Sequence, residues 1–307
     1  MKNIVTSIEN LGEVVVESKP CEMFLVRKKD KQAQMMVPDL QPIHLNLKQK
    51  IKTKRRRITG CSLLREGRMV LSCYNTDIGS FINKDGVGLF QIGKDQTGSD
   101  TYDAVYIKDN NSVAVSSGKG RNKCITIIDI ESQQVIATIT MDTDIYGMAV
   151  RGRTMYYCTG SNGLKMLNLS DKSVIYIINS DMSDVDYVAT SGDKLYYTNY
   201  YTHTVTCCDI HGTAQWEFRD ERVLQYPYGI TVDNDGNVYV AGYNSNNVVV
   251  ISPDGERHRQ LFSDKDGLED PTVLDYDVST NRLLVVNQNS TAFLFDVTRG
   301  QMKKSKT

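Results

Sequence analysis

Four histidines, seven cysteines and a scatter of Asp and Asn are the residues with which this chain could do metal or acid–base chemistry. A zinc centre needs three or four converging imidazole, thiolate or carboxylate ligands. No CxxC pair occurs, and Cys207 and Cys208 are neighbours, which within a strand sends their side chains to opposite faces. Asp233 to Gly236 (DNDG) opens like a calcium loop but lacks the later ligands and the closing Glu, so it reads as a hairpin turn. Residues 118–123 (GKGRNK) lack the spacing of a phosphate-cradling loop, and no helical pattern follows; a hairpin tip is expected. The chemistry left is recognition. Seventeen tyrosines and the cations Arg55, Arg56, Arg57, Lys119, Arg121 and Lys123 could stack and pair against a peptide or a single-stranded nucleic acid.

The elements that must position them are short strands. In residues 226–255 (YPYGITVDNDGNVYVAGYNSNNVVVISPDG), three apolar runs about ten residues apart are separated by Asx and Gly turns, the pattern of an antiparallel meander. One such sheet is too small to be stable alone. The pattern repeats. Third strands end at Asn83, Asp129, Asn168, Asp209, Ser252 and Asp296, successively 46, 39, 41, 43 and 44 residues apart. First strands are expected at 59–64, 103–107, 146–150, 186–190, 228–232 and 273–278. Six units of about 43 residues with four strands each predict an all-β, six-bladed β-propeller. Residues 43–54 (IHLNLKQKIKTK) alternate as a strand, whereas the chain after Asp296 lacks a fourth apolar run. The N-terminal strand is therefore expected to close the last blade and the ring. The predicted organisation is a helical stub and basic linker over 1–42, a propeller over 43–300 and a basic tail over 301–307. Trp216, in the fourth strand of its blade, is assigned to packing between blades.

Charge is distributed unevenly. Residues 1–57 carry 13 Lys and Arg against 6 Asp and Glu, the rest 23 against 31. The RKKDK run in the linker reads as solvated. Apolar runs reach about five residues, far short of a membrane span. An odd cysteine count without a spacing pattern, and a start lacking an apolar signal region, predict a reduced, cytoplasmic setting.

In a propeller, the loops joining second to third strands share one face with those leading into each first strand. That face collects Arg57, Tyr74, Tyr102, Lys119, Arg121, Tyr146, Tyr200, His203, Tyr228 and Tyr243 as the candidate binding residues. It also collects Asp100, Asp103, Asp142, Asp144, Asp184, Asp186, Glu269 and Asp270, so it is expected to be split into a basic side on the first two blades and an acidic side beyond. His44 falls in the closing strand, His203 on this face, and His211 and His258 on the opposite one, which argues against a zinc site. A calcium site of axial Asp and Asn is the remaining metal alternative.

Pro227, Gly229, Ile230, Val232, Asp233, Gly236, Tyr239, Val240 and Ala241, followed by Asn246 and Val248, resemble an NHL repeat, and residues 43–300 are similar to the six-bladed NHL propeller of TRIM-type (tripartite motif) proteins. Gly242 and Asn247 stand where such repeats commonly carry an acidic and a basic residue. The resemblance implies a non-catalytic module that recognises a protein or peptide partner in a ubiquitin-ligase setting, with single-stranded RNA as the alternative ligand through blades one and two. Ligase activity would need a RING finger, which this sequence does not contain. No cofactor, metal or small-molecule substrate is expected.

Overall fold

The computed structural model describes residues 42–74, 78–93 and 100–300. The expected stub, linker and tail lie outside the described residues, apart from Pro42 at the linker's end. The chain forms six four-stranded antiparallel sheets. Blade one comprises Ile58–Leu63, Met69–Cys73, Ile78–Ile82 and Gly88–Gly93; blade two Ala104–Ile107, Ser112–Ser116, Cys124–Asp129 and Gln134–Thr140. Blade three comprises Met148–Arg151, Thr154–Cys158, Leu164–Asn168 and Val174–Ile178; blade four Val188–Ser191, Lys194–Asn199, Thr204–Asp209 and Ala214–Phe218. Blade five comprises Pro227–Val232, Val238–Gly242, Asn247–Ile251 and His258–Ser263. Blade six takes Pro271–Asp277, Arg282–Asn287 and Asn289–Arg299 from the end of the chain and its outer strand, Ile43–Arg56, from the beginning. That outer strand runs antiparallel to the last one, from Ile43 opposite Arg299 to Arg56 opposite Asn289. The fold is the expected six-bladed propeller, closed by its N-terminal strand.

Blade five shows why the middle strands read as unbroken apolar runs. Val238, Val240, Val249 and Ile251 point into one inter-blade core, and Tyr239, Ala241, Val248 and Val250 into another. Because both faces of each blade are buried by a neighbour, alternation survives only in outer strands such as Gln134–Thr140, where exposed and partly buried residues alternate over most of its length.

The polar residues that mark the repeat in sequence are turn makers. The Oδ1 atom of Asp209 accepts the backbone N–H groups of His211 and Thr213, each at 2.9 Å, and that of Asn83 those of Asp85 and Val87 at the same distance. Asp129, Asn168 and Ser252 do the same with their own turns. A side chain that substitutes for a missing backbone acceptor holds the third-to-fourth hairpin closed. Asp296 instead binds Arg282 Nε at 3.1 Å. Trp216 donates to the Pro253 carbonyl of the next blade at 3.0 Å.

First strands line the axis, and their close approach depends on small residues. A Cβ on Gly60, Gly147 or Gly229 would lie 2.6 to 2.7 Å from the Cα of Asp103, Tyr187 or Val273, each on the following blade. Hydroxyl groups stitch the same junctions. Thr59 Oγ1 and Ser72 Oγ both donate to the Tyr102 carbonyl at 2.6 Å, Ser116 Oγ to Tyr146 at 2.9 Å, Thr198 Oγ1 to Tyr228 at 2.9 Å, and Thr272 Oγ1 to Ile58 at 2.7 Å. These bonds set the inter-blade register where the first strands begin, and so fix the tyrosines that begin them.

Candidate recognition site

The tyrosines that precede or open the first strands meet over the axis. Tyr102 packs edge-on against Tyr74 and Tyr146, with ring centroids at 5.7 and 5.2 Å, and stacks on Tyr187 at 6.1 Å. Tyr187 leads to Tyr228, and Tyr228 to Tyr200 and Tyr243, at 6.1, 5.4 and 5.1 Å. Tyr200 extends the cluster to Tyr201 and Tyr226, and Tyr226 to His203. Edge-to-face pairs at these spacings contribute about 0.5–1.5 kcal/mol each beyond their burial.

Two cavities lie along the axis. The upper one, about 430 Å³, is a cup lined by Arg57, Thr59, Tyr74, Tyr102, Lys119, Tyr146, Asp184, Val185, Tyr228 and Gln288. The lower one, about 300 Å³, is walled by first strands of all six blades. Between them Tyr187 donates a hydrogen bond to the Thr59 carbonyl, linking blade four to blade one across the ring. Tyr187 is therefore a crossbar that nothing in its local sequence announces: it stands one position later in its blade than Tyr102, Tyr146 and Tyr228 do in theirs.

Of the ten candidate residues, six line the cup: Arg57, Tyr74, Tyr102, Lys119, Tyr146 and Tyr228. Tyr200 and Tyr243 flank Tyr228 at the rim. His203 holds the rim rather than a ligand, because its Nδ1 accepts the Tyr226 backbone N–H at 2.9 Å. Arg121 stands apart, in a shallow pocket with Lys123, Thr138 and Thr140 on blade two.

The expected division into a basic and an acidic side is not what the fold builds. Lys119 pairs with Asp184 at 3.7 Å and Lys123 with Asp144 at 3.5 Å, so lysines and carboxylates from different blades interdigitate. Asp142 lies 3.6 Å from Lys165, a fully buried amino group that also sits 4.5 Å from the Tyr176 ring centre. Asp103 and Asp186 have left the surface. Asp103 accepts the N–H groups of Ala104 at 2.8 Å and Met148 at 2.7 Å, and Asp186 those of Ser183 at 2.6 Å and Tyr200 at 2.8 Å. Burial outweighs these bonds and pushes both carboxyls up to about 7. Local sequence could not separate these inward carboxylates from exposed ones, because the difference lies in the neighbouring blade.

Among the described residues, Arg57 is the cup-lining cation without a carboxylate partner. It occupies a left-handed conformation (φ 55°), its side chain is exposed, and its carbonyl accepts the Tyr74 N–H at 2.9 Å. Tyr102 is its buried counterpart, 3% exposed, its hydroxyl closed off from solvent beside the Tyr187 phenol. Burial raises the Tyr102, Tyr146 and Tyr228 phenols, so all three are neutral donors at physiological pH. Among the described residues no group of three or more His, Cys, Asp or Glu is placed to hold a metal ion, and no helix is long and apolar enough to cross a membrane. Six described cysteines are buried free thiols.

Comparison with known proteins supports the architecture. A β-propeller repeat family (SBBP) matches residues 222–247, which run into blade five. No curated protein sequence matches the chain. Among solved structures, it is similar to a protein of unknown function from Bacteroides thetaiotaomicron, with a TM-score of 0.67 at 12% identity over 84% of this chain and 76% of that one. It is also similar to virginiamycin B lyase from Staphylococcus aureus, with a TM-score of 0.57 at 16% identity over 85% and 90% of the two chains. At such identities the likeness concerns the fold alone.

Proposed function

We propose that this protein is a non-catalytic recognition module that holds a protein or peptide partner on the face bearing the tyrosine cup. One observation carries the reading: six aromatic or charged positions from blades one, two, three and five converge on one open cup, with further tyrosines continuing it to the rim. Tyrosine offers large contact area and a polar tip at low entropic cost, the combination that partner surfaces favour. By its resemblance to NHL propellers of TRIM-type proteins, the module would present its partner to a RING-bearing relative or to a longer form of itself. The buried free thiols suit a reducing, cytoplasmic compartment.

Single-stranded RNA is the competing ligand. The pairing of Lys119 and Lys123 with carboxylates weakens it, since phosphate binding draws on uncompensated cations. A photocrosslinking residue at Tyr201, 72% exposed beside the cluster, tests the assignment against one at Ile136, 54% exposed on an outer strand. Discrete protein adducts from position 201 alone are expected in cells. Adducts equally frequent from both positions would overturn the reading, and ribonuclease-sensitive adducts from 201 would replace it with the RNA one.

A further inference from the structure

We infer that the cup takes the C-terminal end of its partner, with a free α-carboxylate on Arg57 and the terminal aromatic or apolar side chain among Tyr74, Tyr102, Tyr146 and Tyr228. This rests on the recognition reading above and narrows it to a ligand class.

Charge is the first argument. Among the described residues, the cup's walls hold two cations and one carboxylate, and Lys119 and Asp184 pair with each other. Arg57 remains, so the cup matches one negative charge, and guanidinium is the side chain best shaped to receive a carboxylate in two parallel bonds. A polyanion would find the nearby lysines already neutralised. Aromatic lining is the second. Tyr74, Tyr102, Tyr146 and Tyr228 wall the cup beside Arg57, so an aromatic or apolar side chain carried by the anion packs against their rings.

Shape supplies the third. The Tyr187 bond to Thr59 crosses the axis below the cup, so a peptide cannot thread through; it enters by an end or by a side chain. At about 430 Å³ the cup lies toward the small end of ligand pockets, suited to a terminal residue and not to an extended strand. Capture of a C-terminal carboxylate is an established peptide-binding mode in other folds. Here the anchor is a side chain set by ring closure, because Arg57 joins the closing strand to the first blade.

The probe is N-acetyl-phenylalanine, compared with its uncharged amide and with phenyl phosphate, titrated into the full chain and followed by NMR of ring-labelled tyrosine. The free acid should shift the cup tyrosines and bind about tenfold more tightly than the amide. Phenyl phosphate binding as well as or better than the acid would overturn the carboxylate assignment in favour of phosphate. Arg57→Gln should abolish the preference for the acid, and Tyr74→Leu should weaken acid and amide alike, about threefold. Both variants should melt within a few degrees of wild type, which separates lost binding from lost fold. Equal affinity for acid and amide, shifts confined to residues outside the cup, or no shift at tens of millimolar would overturn the inference. So would displacement of the acid by a random single-stranded RNA octamer with steep salt dependence. If these fail while position 201 still crosslinks to protein, the recognition reading stands and only the C-terminal ligand falls.

Discussion

The two ends of the axial passage share one ring of blades and have opposite chemistry. Above the Tyr187 crossbar, the cup is aromatic and carries one cation, Arg57, without a carboxylate partner among the described residues. Below it, the channel carries Asp103, buried, and Asp275, partly buried, both raised above the usual carboxylate range by desolvation. Among the described residues, the exposed Arg57 above keeps hydrogen-bonding capacity in reserve. The lower carboxylates have spent theirs on the chain: Asp275 accepts the Leu63 N–H at 2.7 Å and the Ser62 hydroxyl at 3.1 Å, tying blade six to blade one as Asp103 ties blade two to blade three. A concave, charged cavity is thus not by itself a binding site. The test is whether its polar atoms are already used.

The comparison can be broken hardest at the junctions that hold both ends in register. Gly60→Val places its side chain within contact of the Asp103 backbone and the Ser72 hydroxyl. It should cost about 3 kcal/mol and perturb cup and channel together, as read by denaturant unfolding and tyrosine NMR. Loss of stability below about 0.5 kcal/mol would show that the first strands are not packed as tightly as described.

Asp103→Ala leaves the Met148 and Ala104 N–H groups buried without acceptors and should cost about 2 kcal/mol. Its conservative partner, Asp103→Asn, sharpens the point through pH. Folding raises the Asp103 carboxyl from 3.8 to about 7, so between those values the folded chain holds a proton that the unfolded chain has released. Stability from this group is therefore greatest below pH 4 and declines as pH rises to 7. The Asn variant should remove one proton's worth of that slope, about 1.4 kcal/mol per pH unit. An unchanged slope in denaturation from pH 4 to 7 would contradict an inward, desolvated carboxyl.

Tyr187→Phe removes only the crossbar hydrogen bond and should cost about 1 kcal/mol. Its more telling readout is hydrogen exchange, where faster exchange at Thr59 and its neighbours is expected without change on the outer strands. Equal change everywhere would mean that the bond does not divide the passage.

Much of this molecule was legible in one dimension. The six-fold period, the polar residue closing each third strand and the orphan strand at 43–54 follow from hydrogen-bonding and edge-pairing needs that are local or need only a count of strands. Six of the ten residues assigned to one face do meet in the cup, because loop order in a propeller alternates between faces, whereas Asp103 turned into the channel and Arg121 stands apart. What could not be read was which residues on that face are occupied. Asp103, Asp142 and Asp184 look alike in sequence, yet one is an inter-blade tie, one stands beside a buried lysine and one neutralises Lys119. Tyr187 and Tyr228 are equally plain tyrosines, but only the former reaches the opposite blade. Strand positions, their number and the side of the ring on which each loop emerges follow from the residue pattern alone, since these depend on periodicity and turn chemistry. Only the tertiary structure decided which polar atoms remain unpaired, because a hydrogen-bond partner some forty to two hundred residues away exists only once the blades have closed into a ring.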